Sequence, residues 1–250
     1  MIVSKDEIIN GLRKLGLGNG DLVTLHSSLK SLGHVEGGGQ TVIRALLETI
    51  GPEGTILMPA FSFPLKSEDE PIFDVRETPS CVGLITEVFR REYATHRSIH
   101  LSHSYSAAGP LAAELTVHRL DITPCGEDSP LGKFMRRSGK ILLLGVGYNS
   151  CTAFHVVEER LKAPYMTFQE HPKAKYRINE EVFPLPSKIL RRTFSYDFTI
   201  MENEFRVQGV IREGKIGGAT ATMLAGRSFA ECVEARLKND PGCFFRGFNR

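Results

Sequence analysis

The chain has 250 residues, 41% hydrophobic and 24% charged, which suits one large α/β domain and excludes disordered, collagen-like and coiled-coil proteins. With 31 basic and 29 acidic side chains, the net charge of +2 lies too near zero for nucleic acid to be the main partner. No apolar run reaches the ~18 residues of a membrane span and no signal peptide is visible, so we expect a cytoplasmic protein without membrane contact.

Helical and strand patterns alternate through the first two thirds of the chain. Ser4 and Glu7 have the spacing of a capping box before a first helix, which Gly16 and Gly18 end. We then predict a strand over 21–26, a helix over 41–50, a strand over 55–58, helices over 82–92 and 111–117, a strand over 140–144 and a helix over 151–161. This order predicts an α/β fold with a mostly parallel central sheet flanked by helices.

The pattern changes after Pro164, where prolines separate short segments and residues 190–198 alternate like an exposed strand. A Gly217-Gly218 turn precedes a final predicted helix over 229–237. We therefore expect one domain over residues 1–250, with a core of about 1–162 and 200–250. A small antiparallel β lobe of about 163–199 is expected in the C-terminal third.

Cysteine and histidine spacing bears on metal binding. The five cysteines are scattered, odd in number and without a C-x-x-C pair, which argues against a disulfide framework or a zinc knuckle. His96, His100 and His103 lie close enough in sequence to share a metal ion. Serines and Gly109-Pro110 indicate strand and loop around them, so hydrogen-bonded loop histidines are the default and we expect no metal.

Two glycine-rich segments resemble nucleotide-binding loops without matching them. Residues 126–133 have five residues between the glycines of a Walker A loop instead of four, and Phe134 replaces the hydroxyl that binds magnesium. Residues 144–150 resemble the dinucleotide fingerprint, but Ser150 replaces its third glycine and no acidic residue ends a following strand at the expected distance. Neither a nucleotide triphosphatase nor an NAD-binding protein is favoured.

A hydroxyl-rich turn over 25–33 and the run Gly37-Gly38-Gly39 join the first core strand to the next helix. Free N–H groups and the helix dipole would make this junction a ready site for phosphate or another anion. A glycine-rich loop that only turns the chain is an equal alternative.

The helix over 151–161 carries His155 and Glu158 at spacing i, i+3, near the carboxyl end of a core strand, where α/β sheets bind ligands. A carboxylate beside a histidine fixes its tautomer and raises its basicity, as a general base requires. A partly buried histidine beside a solvated glutamate is an equal alternative. Cys151 lies one turn earlier, so a Cys–His nucleophile pair is a further alternative, although a small packing cysteine is commoner.

Seven short segments follow one another in order between about residues 20 and 160. They are residues 26–33, Gly37-Gly38, residues 54–62, Thr78-Pro-Ser80 with Gly83, Arg97-Ser-Ile-His100 with His103-Ser104, Ser129-Pro-Leu-Gly132, and residues 142–145 with Thr152-Ala-Phe-His155-x-x-Glu158. Together they resemble the aminoglycoside 3-N-acetyltransferase family, and residues 214–218 resemble a further segment of it.

The resemblance implies a fold distinct from the GNAT acetyltransferases, and acetyl-CoA or another acyl-CoA as co-substrate. It implies His155 as the base, supported by Glu158, with Ser104 available to hold an oxyanion. We expect the donor to contact His26, Ser27, Ser28, Leu29, Lys30, Gly37, Gly38, Phe61, Ser62, Ser80 and Ser129. We expect the acceptor to contact His100, His103, Arg191, Arg192 and Asp197.

The leading hypothesis is an acyl-CoA-dependent N-acyltransferase that acylates a small-molecule amino sugar. Family members that confer resistance usually carry an acidic residue where this chain has Arg191-Arg192 followed by Asp197, and Leu101 replaces a usual proline. These arginines and the net charge favour a nucleotide-linked amino sugar of cell-surface glycan synthesis. The alternatives are an aminoglycoside 3-N-acetyltransferase conferring resistance and a non-catalytic module that binds coenzyme A or a nucleotide. Homo-oligomerisation stays open.

Overall fold

The computed structural model describes residues 2–191 and 194–248. Its helices are α1 (Lys5–Lys14), α2 (Leu29–Leu32), α3 (Gly38–Ile50), α4 (Leu84–Glu92), α5 (Ala112–Thr116), α6 (Pro130–Arg136), α7 (Ala153–Arg160), α8 (Glu202–Val207) and α9 (Gly226–Asn239). Short 3₁₀ turns lie at Phe63–Ser67, Tyr148–Ser150 and Thr199–Met201. Within the described ranges, no helix combines the length and the apolar character needed to cross a bilayer.

The strands run along the whole described chain. They are β1 (Ile2–Val3), β2 (Leu22–Ser27), β3 (His34–Val35), β4 (Thr55–Pro59), β5 (Ile72–Asp74), β6 (His96–Arg97), β7 (Tyr105–Ala108), β8 (Lys140–Leu144), β9 (Phe168–Glu170), β10 (Lys175–Ile178), β11 (Glu181–Pro184), β12 (Lys188–Leu190), β13 (Phe194–Tyr196), β14 (Ile211–Ile216), β15 (Ala219–Ala225) and β16 (Phe245–Phe248). The predicted strand over 140–144 therefore has the bounds of β8.

Seven of the described strands form the central sheet, in the order β14-β15-β8-β2-β4-β7-β6. This arrangement confirms the α/β class. The sheet is mixed, however, because β2 pairs in parallel with β4 and β8 while the other four pairings are antiparallel. The expectation of a mostly parallel sheet was wrong since it missed the β14–β15 hairpin and β7, which add antiparallel strands at both edges.

Helices cover both faces of the sheet, and alternation along the strands separates two hydrophobic cores. In β8, Leu142 and Leu144 pack with α1, α3 and α4, whereas Ile141 and Leu143 pack with α6, α7 and α9. The central strands are therefore buried on both sides, and their carboxyl ends remain as the edge where a ligand can approach.

Local sequence signals explain several helix boundaries. The Ser4 side chain accepts a hydrogen bond from the Glu7 N–H at 3.2 Å, which confirms the predicted cap of α1. Helix α3 begins at Gly38, three residues before the predicted start, because Gly37 adopts a left-handed φ of 74° that turns the chain into it. Ser129 caps α6, a helix that the sequence analysis did not predict.

The C-terminal third contains short β pairs, and some of their strands come from outside residues 163–199. Strands β9 and β12 pair antiparallel, as do β10 and β11, while β5 joins β10 in parallel and β16 joins β13. The predicted strand over 190–198 is divided between β12 and β13, and Arg192 lies outside the described residues. The division into core and lobe stays a prediction.

Candidate active site

A cavity of about 580 Å³ opens where β2, β4 and β8 end. Because these three strands are parallel, their carboxyl ends meet at one edge of the sheet. The lining combines aromatic and polar side chains: His26, Ser27, Pro59, Phe61, Phe63, Lys66, Val82, Thr86, His103, Val146, Asn149, Ser150, Cys151, Thr152, His155, Leu190 and Tyr196. An apolar cavity with a few convergent polar groups is typical of a small-molecule site.

Helix α7 brings His155 to this cavity and Glu158 behind it. The His155 Nδ1 lies 2.5 Å from Glu158 Oε2, and the other carboxylate oxygen accepts a hydrogen bond from the Tyr165 hydroxyl at 2.6 Å. Glu158 is completely buried. A neutral His155 therefore carries its proton on Nδ1, which leaves Nε2 as the basic nitrogen.

Neighbouring groups fix the orientation of both partners. Tyr196 and Phe198 meet the His155 ring edge-on, with centroids 5.2 and 5.4 Å away. Burial and the Glu158 charge raise the pKa of Tyr165, so its hydroxyl stays protonated and donates to the carboxylate. The imidazole is thus held in one tautomer and one orientation, which is what a general base needs.

The predicted donor residues separate into two groups. His26, Ser27 and Phe61 line the cavity. The remaining members of the 26–39 segment lie outside its lining: Ser28 accepts a hydrogen bond from Ser31 Oγ at 3.0 Å, and Leu29, Lys30, Gly37 and Gly38 continue away along α2 and into α3. Contact of these residues with the outer part of an acyl-CoA stays a prediction.

Several predicted serines have structural partners instead. Ser62 Oγ donates to the Leu101 carbonyl at 2.7 Å, and Ser129 Oγ accepts from the Gly132 N–H at 3.0 Å. Ser80 Oγ lies 2.9 Å from the Thr86 hydroxyl, which itself lines the cavity. Ser62 and Ser129 are buried outside the cavity lining, and Ser80 adjoins it through Thr86. Contact of these three serines with the donor stays a prediction.

Ser104 has hydrogen-bond partners within the protein. Its hydroxyl donates to the Ala60 carbonyl at 2.7 Å and accepts from Arg97 Nε at 3.2 Å. The residue is completely buried and lies outside the cavity lining. Its only hydroxyl proton is therefore engaged within the protein, and the oxyanion role of Ser104 stays a prediction.

The histidines at 100 and 103 have different roles. His100 Nδ1 accepts hydrogen bonds from the N–H groups of Ser102 and His103 at 3.1 and 3.0 Å, while Nε2 donates to the Lys188 carbonyl at 3.2 Å. His100 is thus a hydrogen-bonded loop histidine outside the cavity lining, and its contact with the acceptor stays a prediction. His103 does line the cavity, packed against Phe61. Across residues 2–191 and 194–248, no group of three or more His, Cys, Asp or Glu side chains is arranged for a metal ion.

Among the remaining predicted acceptor residues, Asp197 and Arg191 follow the cavity-lining residues Tyr196 and Leu190 in sequence. Asp197 accepts hydrogen bonds from the Thr199 N–H and hydroxyl at 2.9 and 2.5 Å, and those bonds help to lower its pKa. Arg191 is exposed, and its N–H donates to the Thr167 carbonyl. Arg192 lies outside the described residues. Acceptor contacts with these three residues stay predictions.

Sequence reasoning missed Asn149, Thr152, Tyr165 and Tyr196. Asn149 and Thr152 lie between β8 and α7, so the rule that ligands bind at the carboxyl ends of strands would have found them. Tyr165 follows Glu158 by seven residues but lies beyond the end of α7, where helical spacing no longer applies. It had no signal in the sequence.

The chain matches known proteins over most of its length. The family model described as aminoglycoside 3-N-acetyltransferase matches residues 24–238. The chain is 28% identical over 242 residues to aminoglycoside N(3)-acetyltransferase IV of Salmonella sp, covering 96% of this chain and 89% of that protein. It is 37% identical over 183 residues to the SPbeta prophage-derived aminoglycoside N(3')-acetyltransferase-like protein YokD of Bacillus subtilis (strain 168), covering 65% and 66%.

A solved structure shows the same fold. A histidine-to-alanine variant of aminoglycoside acetyltransferase AAC(3)-IVa, in complex with a gentamicin, matches with a TM-score of 0.85 at 26% identity. The match covers 99% of this chain and 93% of that one. Fold and site together define an acyl-CoA-dependent N-acyltransferase. The chain belongs to the aminoglycoside 3-N-acetyltransferase family, whose co-substrate is acetyl-CoA, as the sequence resemblance implied.

Cys151 is expected to be dispensable for acetyl transfer. It lines the cavity, but burial raises the pKa of its thiol to about 12, so the thiolate that a nucleophile needs is scarce at neutral pH. Cys151→Ala should keep activity within a few-fold of the unaltered enzyme in a thiol-release assay. Incubation with acetyl-CoA alone should give no acetyl adduct on Cys151 by intact-protein mass spectrometry. Such an adduct would show that the acetyl group passes through the thiol and would contradict this expectation.

Two buried histidines should make the fold acid-sensitive. Burial lowers the pKa of His26 from 6.5 to about 4 and that of His100 to about 3. Between pH 6.5 and about 4 the unfolded chain therefore binds more protons than the folded chain, so the free energy of unfolding decreases as the pH falls through this window. Above pH 6.5 these two rings contribute no pH dependence.

Urea unfolding from about pH 7 to about pH 5 measures this effect, with a slope of up to ~1.4 kcal/mol per pH unit for each ring. His26→Gln should remove about one ring's share of the slope. His34→Gln, at an exposed histidine, is the matched control and should leave the slope unchanged. Equal slopes in the unaltered protein and His26→Gln would show that His26 is not held neutral.

Proposed function

We propose that this protein transfers an acetyl group from acetyl-CoA to the 3-amine of an aminoglycoside by direct attack of the amine. The observation that carries the proposal is the hydrogen-bonded series Tyr165–Glu158–His155, which ends at the cavity. The family to which the chain belongs supplies the type of reaction. A non-catalytic coenzyme A module would not need a buried carboxylate to orient a cavity-lining histidine.

The chemistry needs one proton acceptor. An aminoglycoside amine is protonated near neutral pH and gives one proton to solvent to become the neutral nucleophile. As this nitrogen attacks the thioester carbonyl carbon, His155 Nε2 takes a second proton from it. The carbon–sulfur bond then breaks, and the imidazolium returns the proton to the departing thiolate. Glu158 stabilises the imidazolium through Nδ1 while this charge is present.

His26 and Ser27 are the lining residues where we place the donor. His26 Nε2 is buried without a hydrogen-bond partner among the described residues, although the His26 ring lines the cavity. An unsatisfied buried ring nitrogen is costly unless a ligand supplies its partner. An amide of the donor can do so. His26 and the neighbouring Ser27 would therefore hold acetyl-CoA near His155.

The charges around the active-site cavity give little support to a nucleotide-linked amino sugar as acceptor. Two cations of the C-terminal third have carboxylate partners: Lys173 lies 2.8 Å from Asp69, and Arg177 lies 3.5 Å from Asp74. Among the described lining residues, Lys66 is the lone Lys or Arg, and its ammonium group lies 5.0 Å from the Phe63 ring centroid. A diphosphate would have little cationic support here. The relatives' names point to aminoglycosides as well.

An acceptor panel tests the proposed function. Thiol release from acetyl-CoA should be efficient with gentamicin and weak with a nucleotide-linked amino sugar such as a UDP-linked one, since the latter places a diphosphate in a cavity with few cations. Mass spectrometry and NMR of the product should place the acetyl group on the 3-amine. Turnover of the nucleotide sugar alone would make cell-surface glycan synthesis the correct function.

Removing the base is expected to lower kcat without weakening the donor complex. His155→Ala and His155→Asn should each reduce kcat by ~10²–10⁴, because the base acts in the transition state. Glu158→Gln should lower kcat as well while preserving shape, because the amide no longer supports the imidazolium. Calorimetry should give a nearly unchanged Kd for coenzyme A. Activity of His155→Ala within a few-fold of the unaltered enzyme would remove His155 from the mechanism.

A further inference from the structure

A second cavity, of about 440 Å³, lies beside the candidate active site at the same edge of the sheet. Its wall includes Ser31, the stretch Gly145–Tyr148, Thr199, the start of α8 at Glu202, and the β14–β15 hairpin. Val146 lines both cavities. The 3₁₀ turn Tyr148–Ser150 lies between them, since Tyr148 lines the second cavity while Asn149 and Ser150 line the first.

Two carboxylates, Glu202 and Glu213, line the second cavity. Arg206 forms ion pairs with both of them, to Glu202 at 2.9 Å and to Glu213 on β14. One guanidinium for two carboxylates leaves an excess negative charge at this wall. Two residues further along β14, Lys215 donates to the hydroxyl of Thr220, a lining residue, at 2.8 Å.

Tyr148 is an independent sign of a ligand. Its side chain is only 7% exposed and lines the second cavity, yet its hydroxyl has no hydrogen-bond partner among the described residues. Burial and the charges of Glu202 and Glu213 raise its pKa to about 12, so the hydroxyl stays protonated. A buried phenol without a partner is unfavourable. Its oxygen can accept from an ammonium group, and its proton can reach a sugar hydroxyl.

The active-site cavity itself offers little to a polycation. Its described lining contains Lys66 but neither aspartate nor glutamate, and Asp197 beside it is already hydrogen-bonded to Thr199. An aminoglycoside carries several ammonium groups, and each needs a carboxylate or another acceptor to replace its hydration. The second cavity, which shares Val146 with the first, has two carboxylates in its lining.

We propose that the second cavity binds a remote ammonium group of the acceptor, with Glu202 and Glu213 as specificity-determining residues and Tyr148 as a hydrogen-bonding partner. The acceptor then extends over the wall at Val146, with its reacting amine at His155 and another amine between the two carboxylates. This inference rests on the proposed function and assigns to the second cavity a preference for acceptors with more than one amine.

Steady-state kinetics of the full chain test the inference with gentamicin and with an analogue in which one remote amine is a hydroxyl. Glu202→Gln and Glu213→Gln should each raise the KM for gentamicin by about five- to tenfold, as expected for loss of a charge-assisted contact. The KM for acetyl-CoA should not change. The analogue that lacks the contacting amine should lose this sensitivity, and Tyr148→Phe should raise the KM for gentamicin by a smaller factor.

Two control variants distinguish the loss of a direct contact in the second cavity from a general change in the electrostatic potential of the protein. Glu231→Gln removes an exposed carboxylate on α9 outside both cavities and should leave every KM unchanged. Lys215→Met removes the cation that is bonded to the lining residue Thr220 and should lower the KM for gentamicin. An unchanged KM in both cavity glutamate variants, or an equal rise for acetyl-CoA, would overturn the inference.

Calorimetric binding of gentamicin to the same variants keeps the two proposals distinguishable. Failure of the unaltered enzyme to acetylate any aminoglycoside would overturn the proposed function by itself. The inference about the second cavity would still be supported if Glu202→Gln and Glu213→Gln weakened gentamicin binding while Glu231→Gln did not. Equal binding by all of these variants, or no binding by the unaltered protein, would overturn it.

Discussion

The carboxylate of Glu158 is withdrawn completely from solvent, and its two oxygens are bound separately by His155 Nδ1 and the Tyr165 hydroxyl. A buried charge is tolerated only when such partners satisfy it. The surrounding structure must therefore hold His155 and Tyr165 against the Glu158 carboxylate. Tyr165 packs in turn against Phe194 and Phe245, which belong to the paired strands β13 and β16. The pair of strands β13 and β16 therefore supports the orientation of His155.

One short helix serves both the core and the site. Phe154 of α7 is buried, stacks on Phe198 at 4.1 Å and meets Phe229 of α9 edge-on at 4.8 Å. The next residue, His155, turns to the cavity, since successive positions on a helix point in different directions. Because the aromatic cluster is packed closely, α7 has little freedom to rotate, and the distance between His155 and Glu158 is set by the core rather than by a flexible loop.

Local signals predicted the local part of this arrangement. The i, i+3 spacing placed His155 beside Glu158, and the apolar run of β8 and the cap at Ser4 were found because each depends on a few adjacent residues. The sheet directions and Tyr165 depend on contacts between distant segments, which periodicity does not contain. Strand β14 was missed for a related reason: its sequence IREGKI is mostly polar, and it joins the sheet through the long hairpin pairing with β15.

The sequence also does not predict the electrostatics of the cavities, because the net charge of a chain does not say where its charged side chains lie. At physiological ionic strength charges are screened beyond ~8 Å, so a bound acceptor responds to the few groups at its own wall. The cations at Lys173 and Arg177 are compensated by neighbouring carboxylates. Glu202 and Glu213 are distant from α7 in sequence, yet the fold brings them to a cavity that shares Val146 with the cavity at His155. A protein with a net charge of +2 can therefore present a locally acidic surface to a cationic acceptor.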